Sequence, residues 1–412
     1  MAEYRETRSL EDDKQEQELR REDAQKERRQ TQLRRMARIA AALALMAAAV
    51  VTGWWVMGPV RLSNLTDALG LIGKRGGGYP LDCSYGNLRQ AALLGNSIAL
   101  LEPTQLLVYS KNGYQSLDFG QPYASPALRT AYGRAVLFDR ATGKLTLLGK
   151  TGMLYNKELA RSLFCVDLGK SGDLAAAIRA ESAASEIYVW DAADKQQFAW
   201  RCEKEYPSAL RLGGRGLGAC LIGTEQAGVY ARFVEFSFDK AEPRIDARID
   251  DAWLYGAAAV TNGWLAVGDR ALYHITRDNQ AEALSYGGRA LDSFDMEQGG
   301  YCALVLEDWE NRALLRVYST KNNGKADLLA LEQGLPQRPL GVFCNGGYVY
   351  LRFEDSIVRW RKGAGFRQSQ PLPQSTQEAF VAGNTAYLLT LRHVEQMKLR
   401  WGACEMLGET KD

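Results

Sequence analysis

Side chains able to do chemistry are sparse and scattered in this chain of 412 residues. It has two histidines, His274 and His393, and seven cysteines; 51 basic side chains stand against 49 acidic ones. A chain so poor in histidine is a weak candidate for imidazole general-base chemistry or a His-rich metal site. The near balance of charge argues against a nucleic-acid binder, which needs a basic excess to neutralise phosphates. No HExxH, CxxC or GxSxG occurs. The segment from Gly143 to Thr151, GKLTLLGKT, approaches a phosphate-binding loop but is one residue too long and has no following helix pattern. Gly213-Gly214-Arg215-Gly216-Leu217-Gly218 lacks the GxGxxG spacing. The carboxylate pairs Asp250-Asp251, Glu307-Asp308 and Glu354-Asp355 are sequence neighbours. On a strand such neighbours point to opposite faces, so none is a ready-made glycosidase pair. The sequence therefore assigns no catalytic residue, no cofactor and no metal ligand.

Topology is more legible. Ile39 to Met57 reads IAAALALMAAAVVTGWWVM, a run without a charge. As a helix it spans about 28 Å, close to the hydrocarbon thickness of a bilayer. Trp54 and Trp55 stand at its far end, where indole rings favour the water–lipid interface, and Gly58-Pro59 ends it. Arg20, Arg21, Lys26, Arg28, Arg29, Arg34, Arg35 and Arg38 flank the N-terminal side; Arg61, Lys74 and Arg75 flank the other. The positive-inside rule then places the N-terminus in the cytoplasm and the rest outside. A cleaved signal peptide starting near Met36 is the competing reading; the long polar extension before it favours an uncleaved signal-anchor. The expected organisation is a charged cytoplasmic tail over 1–38, a transmembrane helix over 39–57, and a juxtamembrane helix with a glycine-rich linker over 58–78. An extracytoplasmic domain over 79–406 and a tail over 407–412 follow. In the tail, Glu16–Arg20 and Glu22–Lys26 suit a solvated helix, with a short coiled coil as the alternative. After the span, Ser63 is a candidate helix cap, and Leu65, Ala68, Leu69 and Ile72 predict a short amphipathic helix on lipid or against the domain. Lys74-Arg75-Gly76-Gly77-Gly78 reads as a flexible hinge.

Beyond residue 79 one pattern recurs. An apolar run enters a Gly- or Asn-containing turn and a second apolar run leaves it. The turns fall at Gly95-Asn96, Tyr132-Gly133, Gly172, Gly216, Asn262-Gly263, Gly299-Gly300, Gly346-Gly347 and Gly383-Asn384. These glycine- and asparagine-bearing turns accept the positive φ of tight hairpins, and their step of about 41 residues is the length of one propeller blade. A third run follows in most repeats, as in LLVYS, IYVWD and RFVEFSF. The expected fold is all-β, a propeller of eight blades, with seven blades or a pair of sandwich domains as alternatives. Ring closure has two candidate donors: residues 79–83, or residues 401–406.

Arg129, Asp167, Arg211, Asp295 and Glu297 lie just before their turns on first strands, so they are candidate channel-lining residues. They would either form a ligand site or tie the blades together. Cys165, Cys220, Cys302 and Cys344 fall on apolar runs and behave as small buried hydrophobes. Cys83 and Cys404 flank the domain, and closure of the ring suggests a disulfide between them. Phe138-Asp139-Arg140-Ala141-Thr142-Gly143-Lys144 is similar to the turn of quinone-binding propeller repeats but occurs once, which makes it turn chemistry. Trp190-Asp191, similar to a WD repeat, is likewise single.

A short basic tail, one helix, Gly77-Gly78-Tyr79-Pro80, and a first repeat ending Leu107-Val108-Tyr109-Ser110-Lys111-Asn112-Gly113 make up the layout. It resembles a family of single-pass membrane-anchored propellers from clostridia-like Gram-positive bacteria. That family has no established activity, so the resemblance carries over no site residue. The expected function is a binding or scaffold module held at the outer membrane surface. Its partners would be the lipid bilayer, through the helix, and a protein or envelope polymer. The alternative is an extracytoplasmic hydrolase or lyase acting on glycans or peptides.

Overall fold

The computed structural model describes residues 67, 69–83, 85–213, 216–226, 228–240, 242–308, 312–320 and 328–404, together with Met36, Ala40, Ala41 and Ala44. The chain divides into two units, 1–62 and 63–412. Of the span Ile39–Met57, only Ala40, Ala41 and Ala44 are described, and they are helical; Trp54, Trp55 and the tail 407–412 lie outside the described residues. Among the described residues no helix is long and apolar enough to cross a membrane.

The second unit is an eight-bladed β-propeller. Eight antiparallel sheets follow one another, six of them built from four consecutive strands in simple order. Blade 1 covers 90–120, blade 2 126–158, blade 3 163–202, blade 4 206–250, blade 5 254–285, blade 6 291–335, blade 7 341–369 and blade 8 376–398. All eight expected turns join the first and second strands of their blades. The turn chemistry is visible at Tyr132 and Gly133, with φ of 51° and 78°, and at Gly346 and Gly347, with φ of 62° and 72°. Two successive residues at positive φ match the twist of the strands they connect.

The ring closes with the first of the two expected donors. Leu81–Asp82 supplies the outermost strand of blade 8, pairing Leu81 with Val394 and Asp82 with His393. The second candidate goes elsewhere: Trp401–Gly402 adds a fifth strand to blade 7, beside Gln368 and Ser369. Closure therefore does not carry Cys404 to Cys83. Cys83 packs between blades 8 and 1, Cys404 packs between blades 6 and 7, and no disulfide joins them.

Burial follows strand position. Second strands are enclosed on both faces, as in Ser97–Leu101, Arg134–Asp139 and Gly263–Gly268. The fourth strand of blade 4, Ile245–Asp250, alternates buried and exposed, the period-2 pattern of a strand with one wet face. The core is accordingly divided, with one hydrophobic cluster at each of the eight contacts between neighbouring blades. Phe233, fully buried between blades 4 and 5, packs tilted against Trp264 with ring centroids 5.2 Å apart. Replacing it with alanine should destabilise the domain by about 3–5 kcal/mol in urea unfolding. Tyr206→Ala, at a side chain 47% exposed, should cost far less.

Candidate functional site

Antiparallel topology gives the propeller two unlike faces. The turns between first and second strands and between third and fourth strands share one face, here the turn face. The remaining turns and the blade-to-blade connections form the other, the connection face.

Each of the five residues expected to line a channel bonds to a neighbouring blade, four from a first strand and Glu297 from the turn that follows one. Arg129 Nη2 donates to Asp167 Oδ1 at 3.1 Å, and Leu212 N donates to Asp167 Oδ2 at 2.8 Å. Arg211 Nε donates to the carbonyl of Ala257 at 3.2 Å. Asp295 accepts from Cys344 N at 2.7 Å. Glu297 spans the next turn, accepting from Gly346 N at 2.8 Å and Gly347 N at 2.9 Å. Of the two alternatives, the geometry built here is the tie between blades. Three further ties escaped the sequence reading because neutral residues make them. Gln90 bonds both backbone groups of Leu128, Asn345 Nδ2 donates to Val381 O, and Tyr387 donates to Asn96 O. Their shared signal was a polar residue on a first or second strand.

A second polar site lies between blades 3 and 4, in a cleft of about 470 Å³. Glu205 is buried there and accepts from Cys202 Sγ at 2.9 Å, Tyr230 at 3.0 Å and Arg232 at 3.3 Å. Burial pushes the Glu205 carboxyl up, but these three donors outweigh it and hold the group below its ordinary value. Burial, aided by the neighbouring carboxylate, pushes the Cys202 thiol up to about 12. A general acid needs a raised carboxyl and a nucleophile needs a lowered thiol. Both shifts run the other way, so this is a fastening network. The Asp139 of the FDRATGK turn is similar: it is buried and accepts from Ser125 N, Ala141 N and Thr142 Oγ1, which fixes a turn. Among the described residues no group of His, Cys, Asp and Glu is arranged to hold a metal ion.

The third site is a cleft of about 330 Å³ on the turn face, where blades 7, 8 and 1 meet. Asn96, Tyr348, Tyr350, Arg359 and Asn384 line it. Arg359 lies 4.1 Å over the ring of Trp401 and 5.0 Å over Tyr348, so the fifth strand of blade 7 holds this guanidinium in place. The indole Nε1 of Trp401 donates to Asn384 Oδ1 at 3.2 Å. The Arg361 guanidinium beside the hydroxyl of Tyr348, with Arg359 near, holds that phenol below its ordinary value. Across the strands Arg359 stands opposite Arg367, a like-charge pair that is unfavourable without an anion nearby. Lys150 Nζ completes the basic rim, 3.0 Å from where a Cβ on Gly95 would stand. The cleft can hold an anionic group. The sequence signal was the alternation Arg359-Trp360-Arg361, which puts both guanidiniums on one face of a strand.

The segment 67–79 binds the same face, and here two expectations change. The helical residues Asp67, Leu69, Gly70 and Leu71 meet the domain through an acid, while Leu65 and Ala68 of the expected stripe lie outside the described residues. Asp67 is 7% exposed and accepts from Lys150 N at 2.8 Å and from Thr151 Oγ1, while Leu69 and Ile72 are 57% and 71% exposed. The glycines that follow are not a loose hinge. A Cβ on Gly76 would stand 2.1 Å from Tyr114 N, and one on Gly113 would stand 2.2 Å from Gly78 O. They permit two backbones to touch. Asn112 Nδ2 donates to Lys74 O at 2.9 Å, and Tyr79 donates to Ser110 O at 3.0 Å. The stalk is thus clasped to blades 2 and 1 before it becomes a strand of blade 8.

No protein-family model matches the chain, and no curated protein matches it in sequence. Among solved structures, the computationally designed Ika8 protein is similar at 11% identity and a TM-score of 0.53, over 79% of this chain and 98% of that one. Apo AztD from Citrobacter koseri gives 12% identity and a TM-score of 0.48, over 73% and 94%. A eukaryotic initiation factor gives 12% identity and a TM-score of 0.46, over 80% and 91%. At such identities the likeness to Ika8 speaks to fold alone.

Two measurements check the site assignments. Asp167→Ala leaves Leu212 N–H buried without its acceptor and should cost about 2–4 kcal/mol in chemical unfolding, whereas Arg129→Ala, at a side chain 42% exposed, should cost about 1 kcal/mol or less. The lowered carboxyl of Glu205 contributes stability that is complete above the unfolded-state value, about 4.3, and is lost as pH falls through the folded-state value. Glu205→Gln should therefore flatten the acid limb of a pH–stability profile measured between pH 6 and 3.

Proposed function

We propose that this chain is a membrane-anchored binding or scaffold module, held by Ile39–Met57 with its N-terminus in the cytoplasm, whose propeller engages a partner in the cell envelope. The clasped stalk carries this reading. A propeller that only needed tethering could hang on any flexible linker. Here residues 67–79 are fixed to the turn face by Asp67, Asn112, Tyr79 and two glycine contacts. Fixing one face toward the tether presents the other, which gives the module a direction. The uncharged run and the one-sided cluster of arginines and lysines before it support the anchor and its orientation.

The connection face has the character of a docking surface. Tyr206, Trp253 and Tyr255 are 47%, 43% and 44% exposed on successive blades. Aromatic side chains of this kind form the energetic centre of many protein interfaces. Tyr206 packs edge-on to Phe164 at 5.7 Å, and Tyr255 lies 6.3 Å from Phe294, so these rings are braced from below.

In intact cells, a membrane-impermeant lysine reagent should label the propeller without permeabilisation. Crosslinking there should capture a partner, and the double variant Trp253→Ala, Tyr255→Ala should lower capture roughly tenfold or more. Labelling only after permeabilisation would sink the topology; undiminished capture by the double variant would sink the docking face.

A further inference from the structure

One sector of the turn face, formed by blades 7, 8, 1 and the stalk, gathers exposed basic side chains. Lys74, Arg75, Lys111, Arg361, Lys362 and Lys398 are all exposed there. Among the described residues none of the six has a carboxylate oxygen within 4.0 Å. Elsewhere several arginines are paired: Arg201 with Glu203, Arg232 with Asp246, Arg248 with Glu225, Arg316 with Glu332 and Arg338 with Glu307. The carboxylate that the stalk brings to this sector, Asp67, is consumed by Lys150 N and Thr151. On the stalk, the exposed Leu69 and Ile72 precede Lys74 and Arg75, and the sector includes the basic cleft around Arg359.

We infer that this sector lies against an anionic bilayer, with lysines and arginines among the headgroups, Leu69 and Ile72 at the acyl boundary, and the Arg359 cleft receiving a headgroup phosphate. Cations beside apolar side chains are the combination that a charged lipid surface binds. Chain length agrees. Nine residues, 58–66, separate Met57 from Asp67, a reach of about 35 Å at most over ten Cα–Cα steps. The face that receives Asp67 is therefore kept near the bilayer. The inference rests on the anchored reading above and adds to it that the propeller lies on the membrane, face down.

The test uses the full chain in nanodiscs of phosphatidylcholine alone and of phosphatidylcholine with phosphatidylglycerol, followed by hydrogen exchange. Residues 110–114, 361–365 and 396–399 should exchange roughly tenfold more slowly with phosphatidylglycerol, and the difference should shrink in high salt. The variant Lys111→Glu, Arg361→Glu, Lys362→Glu should lose the difference while its second strands stay protected, which separates lost docking from lost folding. Equal exchange in the two lipids, or protection on the connection face, overturns the inference. So does tight binding of a soluble glycerol-phosphate polymer to the free face without bilayer protection, since the surface would then serve a polymer. Alkaline carbonate extraction keeps the two readings apart. A chain that resists extraction but shows no lipid-dependent protection refutes the docked face alone, whereas a chain released by carbonate refutes the anchor.

Discussion

The ring is held shut by a two-residue ladder, Leu81 to Val394 and Asp82 to His393. A propeller whose first and last blades share no strand is an open stack, with two unpaired edges and one cluster missing. By giving blade 8 its outer strand from residues before blade 1, the chain couples both ends of the domain. Direction follows from the same constraint. The strand must run down the outside of blade 8, so the chain has to arrive at the turn face. That obligation puts the stalk on blades 2 and 1, where Asp67 and the glycine contacts hold it.

The second organising feature is how neighbouring blades recognise each other. Apolar clusters fill each contact, but burial is non-directional and tolerates sliding. The polar ties at the channel are directional. Asp167, Glu297, Gln90 and Asn345 each read a backbone group of the next blade. Except at Gly346, their donors and acceptors are buried or half-buried, so a slipped blade would leave them unsatisfied. Charge that resembled a binding ring in the sequence is therefore spent on register.

The fold was legible because its signal is periodic. Eight turns with glycine or asparagine mark eight hairpins, and the apolar runs beside them have the length of strands. Closure by residues 79–83 was legible as one of two options, since strand patterns show that a strand exists but not which edge receives it; Trp401–Gly402 took the other edge. The stalk was misread. Three glycines in a row suggest freedom, yet Gly76 and the facing Gly113 serve close approach of two backbones, which only three dimensions reveal. Nor does the helix dock by its leucines: one acid bonding a distant backbone, Asp67 to Lys150, leaves no periodic trace. The basic sector was hidden for a related reason. Lys74, Lys111, Arg361 and Lys398 are far apart along the chain, and near-zero net charge conceals their convergence.

The clasp also decides how the domain bears mechanical load. Tension on the chain ahead of Asp67 would not reach the Leu81–Asp82 strand directly. It arrives first at Asp67 on blade 2 and then at the backbone contact between Gly76–Gly78 and the 110–114 turn. Only after both give way would force act on a ladder two residues long. The stalk is thus a strain relief for a short seam of the ring.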